Sequence, residues 1–187
     1  MIVAVYGSPR SGGNTDIILD TFLSALETEE KVVHFKLRDM ELRPCMGCCR
    51  CNETGICIYK DDIWSIYECI ENAKGLILAS PIYFACVTAQ MKTFIDRGQA
   101  FWVRKFLLHQ PAPPANKKGF YISAAAKNTN KYFVNSRLVV RSFMISLDIE
   151  YSGELFIPCV AGKGEIRNLP EALYSTHQAG LDFLNKL

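Results

Sequence analysis

Five of the eight cysteines fall in one short run, Pro44-Cys45-Met46-Gly47-Cys48-Cys49-Arg50-Cys51, closing at Gly55-Ile56-Cys57. Cys45, Cys48, Cys51 and Cys57 read as C-x2-C-x2-C-x5-C. Thiolates this close along a loop can reach the corners of one cubane, so the spacing points to an iron–sulfur cluster. Gly47 and Gly55 supply the tight backbone such wrapping needs, and Pro44 stiffens its entry. Spacing alone leaves three other readings open. Structural zinc takes four cysteines, but the long spacer usual between two C-x2-C pairs is missing. Disulfides suit small secreted chains. A loop of free or redox-active thiols needs no metal. Cys49 breaks the x2 rhythm and is expected to point away from any metal.

A second chemistry-bearing stretch is Gly7-Ser8-Pro9-Arg10-Ser11-Gly12-Gly13-Asn14-Thr15. It follows the apolar run 2–6 and precedes an amphipathic pattern with Ile18, Phe22, Ala25 and Leu26 on one face. A strand, a Gly-rich loop and a helix N-terminus gather free backbone N–H groups around an anion. Ser8, Asn14 and Thr15 add donors, and Arg10 can balance phosphate charge. The loop is neither G-x-G-x-x-G nor a Walker A motif, which disfavours a dinucleotide grip and NTP hydrolysis. An ordinary capped turn is the alternative. Ser80-Pro81-Ile82-Tyr83-Phe84, after the apolar run 76–79, can wall a flat heteroaromatic ring, or can simply be core aromatics under a loop. Ser123-Ala124-Ala125-Ala126-Lys127, after 119–122, lets a ligand approach the backbone closely.

Positioning these loops requires strands at 2–6, 32–37, 76–79, 119–122 and 149–157, alternating with helices. Asp61 or Asp62 is expected to cap a helix running to Ala73, and Lys117-Lys118 reads as a solvated strand entrance. Met91 to Leu108 reads as helix with more apolar surface than one helix needs, suggesting a subunit interface or a well-covered core. Gln110 to Asn116, with Pro111, Pro113 and Pro114, reads as a loop. A helix spans 131–147, and a last one begins at Leu169-Pro170 with Leu173, His177, Leu181 and Leu184 on one stripe. The alternation predicts an α/β, doubly wound, five-stranded parallel sheet. The phosphate-type loop after the first strand favours the flavodoxin-like order 2-1-3-4-5. At 187 residues the chain suits one domain, 1–187, with a cysteine-rich insertion at about 44–62. A formal net charge of +2 argues against nucleic acid as a partner. No apolar run reaches transmembrane length, the first six residues are too short for a secretory segment, and the free or metal-bound cysteines suit the cytoplasm.

Together, Gly7-Ser8-Pro9-Arg10 with Gly13-Asn14-Thr15, then Ser80-Pro81-Ile82-Tyr83-Phe84 running to Gln90-Met91-Lys92 and Phe94-Ile95-Asp96-Arg97, resemble the NADPH-dependent FMN reductase family. With the cysteine loop and Asp61-Asp62, the chain is most similar to the iron–sulfur flavoproteins of anaerobic archaea and bacteria. The resemblance covers nearly the whole chain, most specifically residues 5–15, 44–62 and 79–97. It implies that Ser8, Arg10, Asn14 and Thr15 hold the FMN phosphate and that Pro81, Ile82, Tyr83 and Phe84 contact the isoalloxazine. Gly13, Ser80, Ser123, Ala124 and Ala125 would complete the flavin site. Cys45, Cys48, Cys51 and Cys57 would ligate a [4Fe-4S] cluster, and the chain would form a homodimer or homotetramer. The implied activity is that of a flavin-dependent oxidoreductase, passing electrons between cluster and FMN and drawing on a one-electron carrier such as ferredoxin, or on NAD(P)H. No side chain need act as nucleophile or base. Two alternatives stand beside this reading: an NAD(P)H-dependent FMN or quinone reductase without a cluster, and a thiol-based redox sensor. FMN is expected over FAD, because no pyrophosphate fingerprint is present.

Overall fold

The structure, a computed structural model, describes residues 1–110, 116–128 and 130–187. Its elements in chain order are β1 (Ile2–Tyr6), α1 (Asn14–Ser24), β2 (Val32–Lys36), α2 (Cys51–Thr54), α3 (Ile63–Asn72), β3 (Gly75–Ala79), α4 (Ala89–Arg97), α5 (Gln99–Trp102), β4 (Lys117–Ala124), α6 (Asn130–Ser146), β5 (Ile149–Ile157) and α7 (Pro170–Leu184). The strands pair in parallel in the expected order, β2-β1-β3-β4-β5. Every residue of β1 and β3 is buried, so these strands need cover on both faces and read as unbroken apolar runs. Val3, Val5, Leu76, Leu78 and Tyr121 pack on one side with Ile63 and Ile66 of α3, Phe94 of α4 and Phe143 of α6. Ile2, Ala4, Ile77, Phe120 and Ile122 pack on the other with Ile18 and Phe22 of α1 and Phe183 of α7.

Several local expectations give way to tertiary contacts. Lys117 is buried rather than solvated: its Nζ donates to the carbonyls of Ile70 and Glu71 at 2.8 and 2.6 Å. Those carbonyls lie in the last turn of α3, where Ile70 O accepts only a capping bond from the Ala73 amide at 3.2 Å, so the ammonium completes the cap of a helix end. Asp62 precedes α3 without capping it and accepts from the Glu41 amide at 2.8 Å, while Asp61 accepts from the Arg43 amide at 3.0 Å. Both carboxylates thus tie down the chain entering the cysteine loop. The helix expected from Met91 to Leu108 is divided into α4, α5 and a π-helical turn, Val103–Leu107, after a break at Gly98. Its apolar surplus lies partly in the open, as Trp102, Phe106 and Leu107. Strand β4 continues through Ala124, so Ser123 and Ala124 are strand residues rather than loop. Helix α7 fully buries Thr176, Gly180 and Phe183, while Leu173 and Leu181 of the expected stripe are half-buried against the same core. Close approach of α1 selects this face, because a Cβ on Gly180 would sit 2.5 Å from the Phe22 carbonyl oxygen. The proline loop expected between Gln110 and Asn116 falls at 111–115, outside the described residues. Among the described residues no helix is long and apolar enough to cross a membrane.

Candidate functional site

Ser8, Arg10, Gly13, Asn14, Thr15, Pro81, Ile82, Tyr83 and Ala124 line one cavity of about 150 Å³ at the carboxyl ends of β1, β3 and β4. Gly13 begins α1 without a side-chain cap, so amides of the first turn are left with no intrahelical acceptor at this cavity. The loops are braced from behind. Thr88 caps α4, donates its hydroxyl to the Gly7 carbonyl at 2.6 Å, and donates its amide to Ser80 Oγ at 3.0 Å. Ser123 Oγ donates to the Ser80 carbonyl at 2.7 Å. Ser80 and Ser123 are fully buried and fix the strand ends instead of lining the cavity. Ala125 plays a similar part, its amide donating to Ile157 O at 3.0 Å and its carbonyl accepting from Val160 N at 3.1 Å. Phe84 is not among the lining residues. It stands in solvent with φ 48°, followed by Ala85 at φ 61°, a left-handed pair that non-glycine residues seldom adopt.

The loop after β5 adds Val160, Ala161 and Lys163 to the same cavity, a contribution absent from the sequence reading. Asn14 accounts for it. Its Nδ2 donates to Val160 O at 3.2 Å and Gly162 O at 2.8 Å, and its Oδ1 accepts from Ile166 N at 3.1 Å. The side-chain amide expected at a phosphate lines the cavity and ties down the fifth loop. The available signal was Gly162-Lys163-Gly164, a cation between glycines beyond the last strand. Arg10 and Lys163 now place two cations beside an uncapped helix N-terminus, an arrangement suited to a phosphate monoester. Asp16, in the first turn of α1, accepts from Gly12 N at 3.0 Å and pairs with Arg38 at 3.0 Å. Burial raises its pKa, and Arg38 opposes the rise.

The second site is the cysteine loop. Cys45, Cys48, Cys49, Cys51 and Cys57 line a cavity of about 420 Å³ with Asp96, Arg97 and Ala100 among the other walls. All eight cysteines are free thiols. Gly47 and Gly55 turn the loop at φ 66° and 73°, and Cys49 follows at φ 58° with its thiol toward Gly47 O at 3.5 Å. Two arginines hold the loop shut. Arg97 reaches the carbonyls of Arg43 and Tyr59, at 2.8 and 3.4 Å, on either side of the cysteines. Arg104 Nε donates to Gly55 O at 2.7 Å. The Cys51 pKa is pushed up first by burial and then by the sulfurs of Cys57, Cys45 and Cys48. Thiolates at the three neighbouring positions therefore disfavour a thiolate at Cys51, a cost that a cationic centre among them would remove. Among the described residues the two cavities share no lining residue. Helix α4 starts by the first and ends at the second, a span of about 13 Å at 1.5 Å per residue.

Residues 1–142 match the NADPH-dependent FMN reductase family. The chain belongs to that family. It is accordingly a flavin-dependent oxidoreductase, with FMN as the family's flavin. An iron–sulfur flavoprotein of Methanocaldococcus jannaschii is 34% identical over 144 residues, covering 74% of this chain and 75% of that protein. One of Archaeoglobus fulgidus is 42% identical over 98 residues, covering 51% and 44%. The chain spans about half the length of several such relatives. The NAD(P)H:quinone oxidoreductase of Methanothermobacter marburgensis superposes with a TM-score of 0.70 at 12% identity, over 97% of this chain and 98% of that one. An FMN-dependent NADH-azoreductase of Bacillus anthracis, in complex with FMN, gives 0.68 at 12% identity over 98% and 99%. These two structures share the flavodoxin-like fold.

For a member of the FMN reductase family, the residues present fit the flavin. Free helix amides and two cations suit the phosphate, and Pro81, Ile82 and Tyr83 offer an apolar wall for the ring. The cysteine cavity supplies the thiol donors that an iron–sulfur group takes. Zinc draws its sulfurs to about 2.3 Å of one centre. Among the described residues no three Cys, His, Asp or Glu side chains gather closely enough to hold a single metal ion, and Cys45, Cys48, Cys51 and Cys57, with Cys49, line one cavity.

Proposed function

We propose that this protein passes electrons between FMN at the loop cavity and a [4Fe-4S] cluster on Cys45, Cys48, Cys51 and Cys57. The observation that carries the reading is that four thiols in the C-x2-C-x2-C-x5-C pattern border one cavity, in a loop stapled at both ends by a buried arginine. When bound, FMN accepts a hydride or single electrons and the cluster passes single electrons, so the pair links two-electron and one-electron chemistry. The chain's own part is to bind and orient. Arg10, Lys163 and the amides of α1 hold the phosphate, Asn14 keeps the fifth loop in place, and Ser80, Thr88 and Ser123 fix the strand ends beneath the flavin. No side chain serves as nucleophile or general base.

The electrons come from a one-electron carrier such as ferredoxin, or from NAD(P)H. Eight free thiols suit a reducing, cytoplasmic setting. The exposed Trp102, Phe106 and Leu107 support assembly into a homodimer or homotetramer. Strictly anaerobic purification, with iron, sulfide and flavin assays, tests the reading. About four iron per chain and FMN without FAD are expected. FMN retained without iron would turn the assignment to an NAD(P)H-dependent FMN or quinone reductase. Reversible thiol oxidation without flavin would turn it to a redox sensor.

A further inference from the structure

We propose that Arg97 sets the reduction potential of the cysteine site by donating its Nε–H to a sulfur of the group held there; the proposal rests on the cluster reading above. Arg97 is only 2% exposed and is among the largest fully buried side chains. A guanidinium carries five N–H donors in a fixed fork. Here Nη1 donates to Asp61 Oδ2 at 2.6 Å and to Arg43 O at 2.8 Å. Nη2 donates to Asp61 Oδ1 at 3.1 Å and to Tyr59 O at 3.4 Å. The fifth donor, Nε, is buried and has no partner in the protein. Buried polar groups without a partner are rare, and an orphan beside a site marks where a ligand atom belongs.

The guanidinium is flanked by an aromatic ring and a carboxylate, and Arg97 lines two cavities whose walls both include Cys57. The Tyr59 ring lies 4.9 Å from the guanidinium, and the Asp61 carboxylate fills the fork. Arg97 lines the cysteine cavity together with Cys51 and Cys57. Cys51 and Cys57 bring sulfur acceptors to this wall, and Asp96, Asn52 and Gln99 add oxygens elsewhere around the cavity. Reduction adds one negative charge to a cluster, and an N–H···S hydrogen bond stabilises the electron-rich form, so it raises the potential. Asp61 offsets much of the guanidinium charge seen from further away, which leaves the directed Nε–H as the local lever. Lysine at this position keeps a charge but cannot reproduce the fork or its Nε–H.

The test compares wild type, Arg97→Lys and Asp61→Asn, each loaded anaerobically, assayed for iron and sulfide, and titrated potentiometrically with paramagnetic resonance detection. Arg97→Lys is expected to lower the cluster potential at full iron content. Asp61→Asn, which removes a neighbouring negative charge and leaves Nε in place, is expected to raise it. A residue that only clamps the loop would not move the potential in opposite directions in these two variants. An unchanged potential in Arg97→Lys at full iron content overturns the proposal. A second measurement needs no variant at Arg97. Protein labelled with nitrogen-15 arginine, in an Arg50→Lys background that silences the exposed neighbour, is expected to show nitrogen coupling to the reduced cluster in pulsed resonance. Iron present without that coupling overturns the proposal alone. No iron in the wild type overturns the cluster reading, and this proposal with it.

Discussion

The loop cavity proposed to take the FMN phosphate has two cations in its walls, Arg10 and Lys163, and both are solvent-exposed. Exposed charges contribute modestly, so Arg10→Ala and Lys163→Ala are each expected to weaken FMN binding by about 1 kcal/mol, roughly five-fold in Kd. Riboflavin, which lacks the phosphate, should bind both variants as it binds wild type, and flavin fluorescence quenching measures each. Equal losses for both flavins would mean that the cations act on loop structure and not on phosphate. At the other site, Ser at Cys45, Cys48, Cys51 or Cys57 should reduce bound iron, and Cys49→Ser should leave it unchanged. Cys49 lines the same cavity, but it is set apart from the other four by its φ of 58° and by its thiol's contact with Gly47 O at 3.5 Å. Loss of iron from Cys49→Ser with retention in Cys48→Ser would shift the ligand register by one residue.

At the scale of elements, α4 is the member that serves both sites, and its terminal ion pair is the most consequential contact it makes. Arg97 and Asp61 have side chains 1% and 6% exposed, and removing one partner leaves the other charge buried. Arg97→Ala is therefore expected to cost about 3–5 kcal/mol in denaturant unfolding. Burial would raise the Asp61 pKa, but the Arg97 hydrogen bonds, with the Arg43 amide, outweigh it and the net shift is downward. A depressed carboxylate pKa adds stability that is fully present above the unfolded value of about 3.9 and is lost as pH falls toward the folded value. Unfolding midpoints should therefore decline below about pH 4 in wild type, and the decline should be shallower in Asp61→Asn. The seam between α1 and α7 gives an independent check. Alanine is the better helix former by about 1 kcal/mol. Gly180→Ala is nevertheless expected to destabilise by about 1–3 kcal/mol, because its methyl would meet the Phe22 carbonyl.

For the molecule as a whole, what could be read in advance followed from continuity along the chain. Buried parallel strands are unbroken apolar runs, so Ile2–Tyr6 and Gly75–Ala79 announce themselves, and the sheet order follows from the loop that β1 feeds. The cysteine spacing is likewise local. What escaped is carried by partners distant in sequence: Lys117 on the end of α3, Asn14 on the fifth loop, and Arg97 across the cysteine loop. No window of neighbouring residues contains such pairs. The same whole-molecule view bears on how electrons enter. The cysteine cavity and the loop cavity proposed for FMN lie at opposite ends of α4, and Arg50 and Lys60, within and just beyond the cysteine run, are exposed. The chain shows no second dinucleotide loop after any strand. A reduced one-electron carrier with an acidic surface is therefore expected to reduce the protein faster than NADPH does at equal concentration in anaerobic stopped flow. Reversing the two charges, in Arg50→Glu with Lys60→Glu, should slow the carrier most at low salt, where steering is least screened, and leave the NADPH rate unchanged. If NADPH reduces the flavin rapidly while the carrier does not, and charge reversal affects neither, electrons enter at the flavin and the cysteine site is not their port.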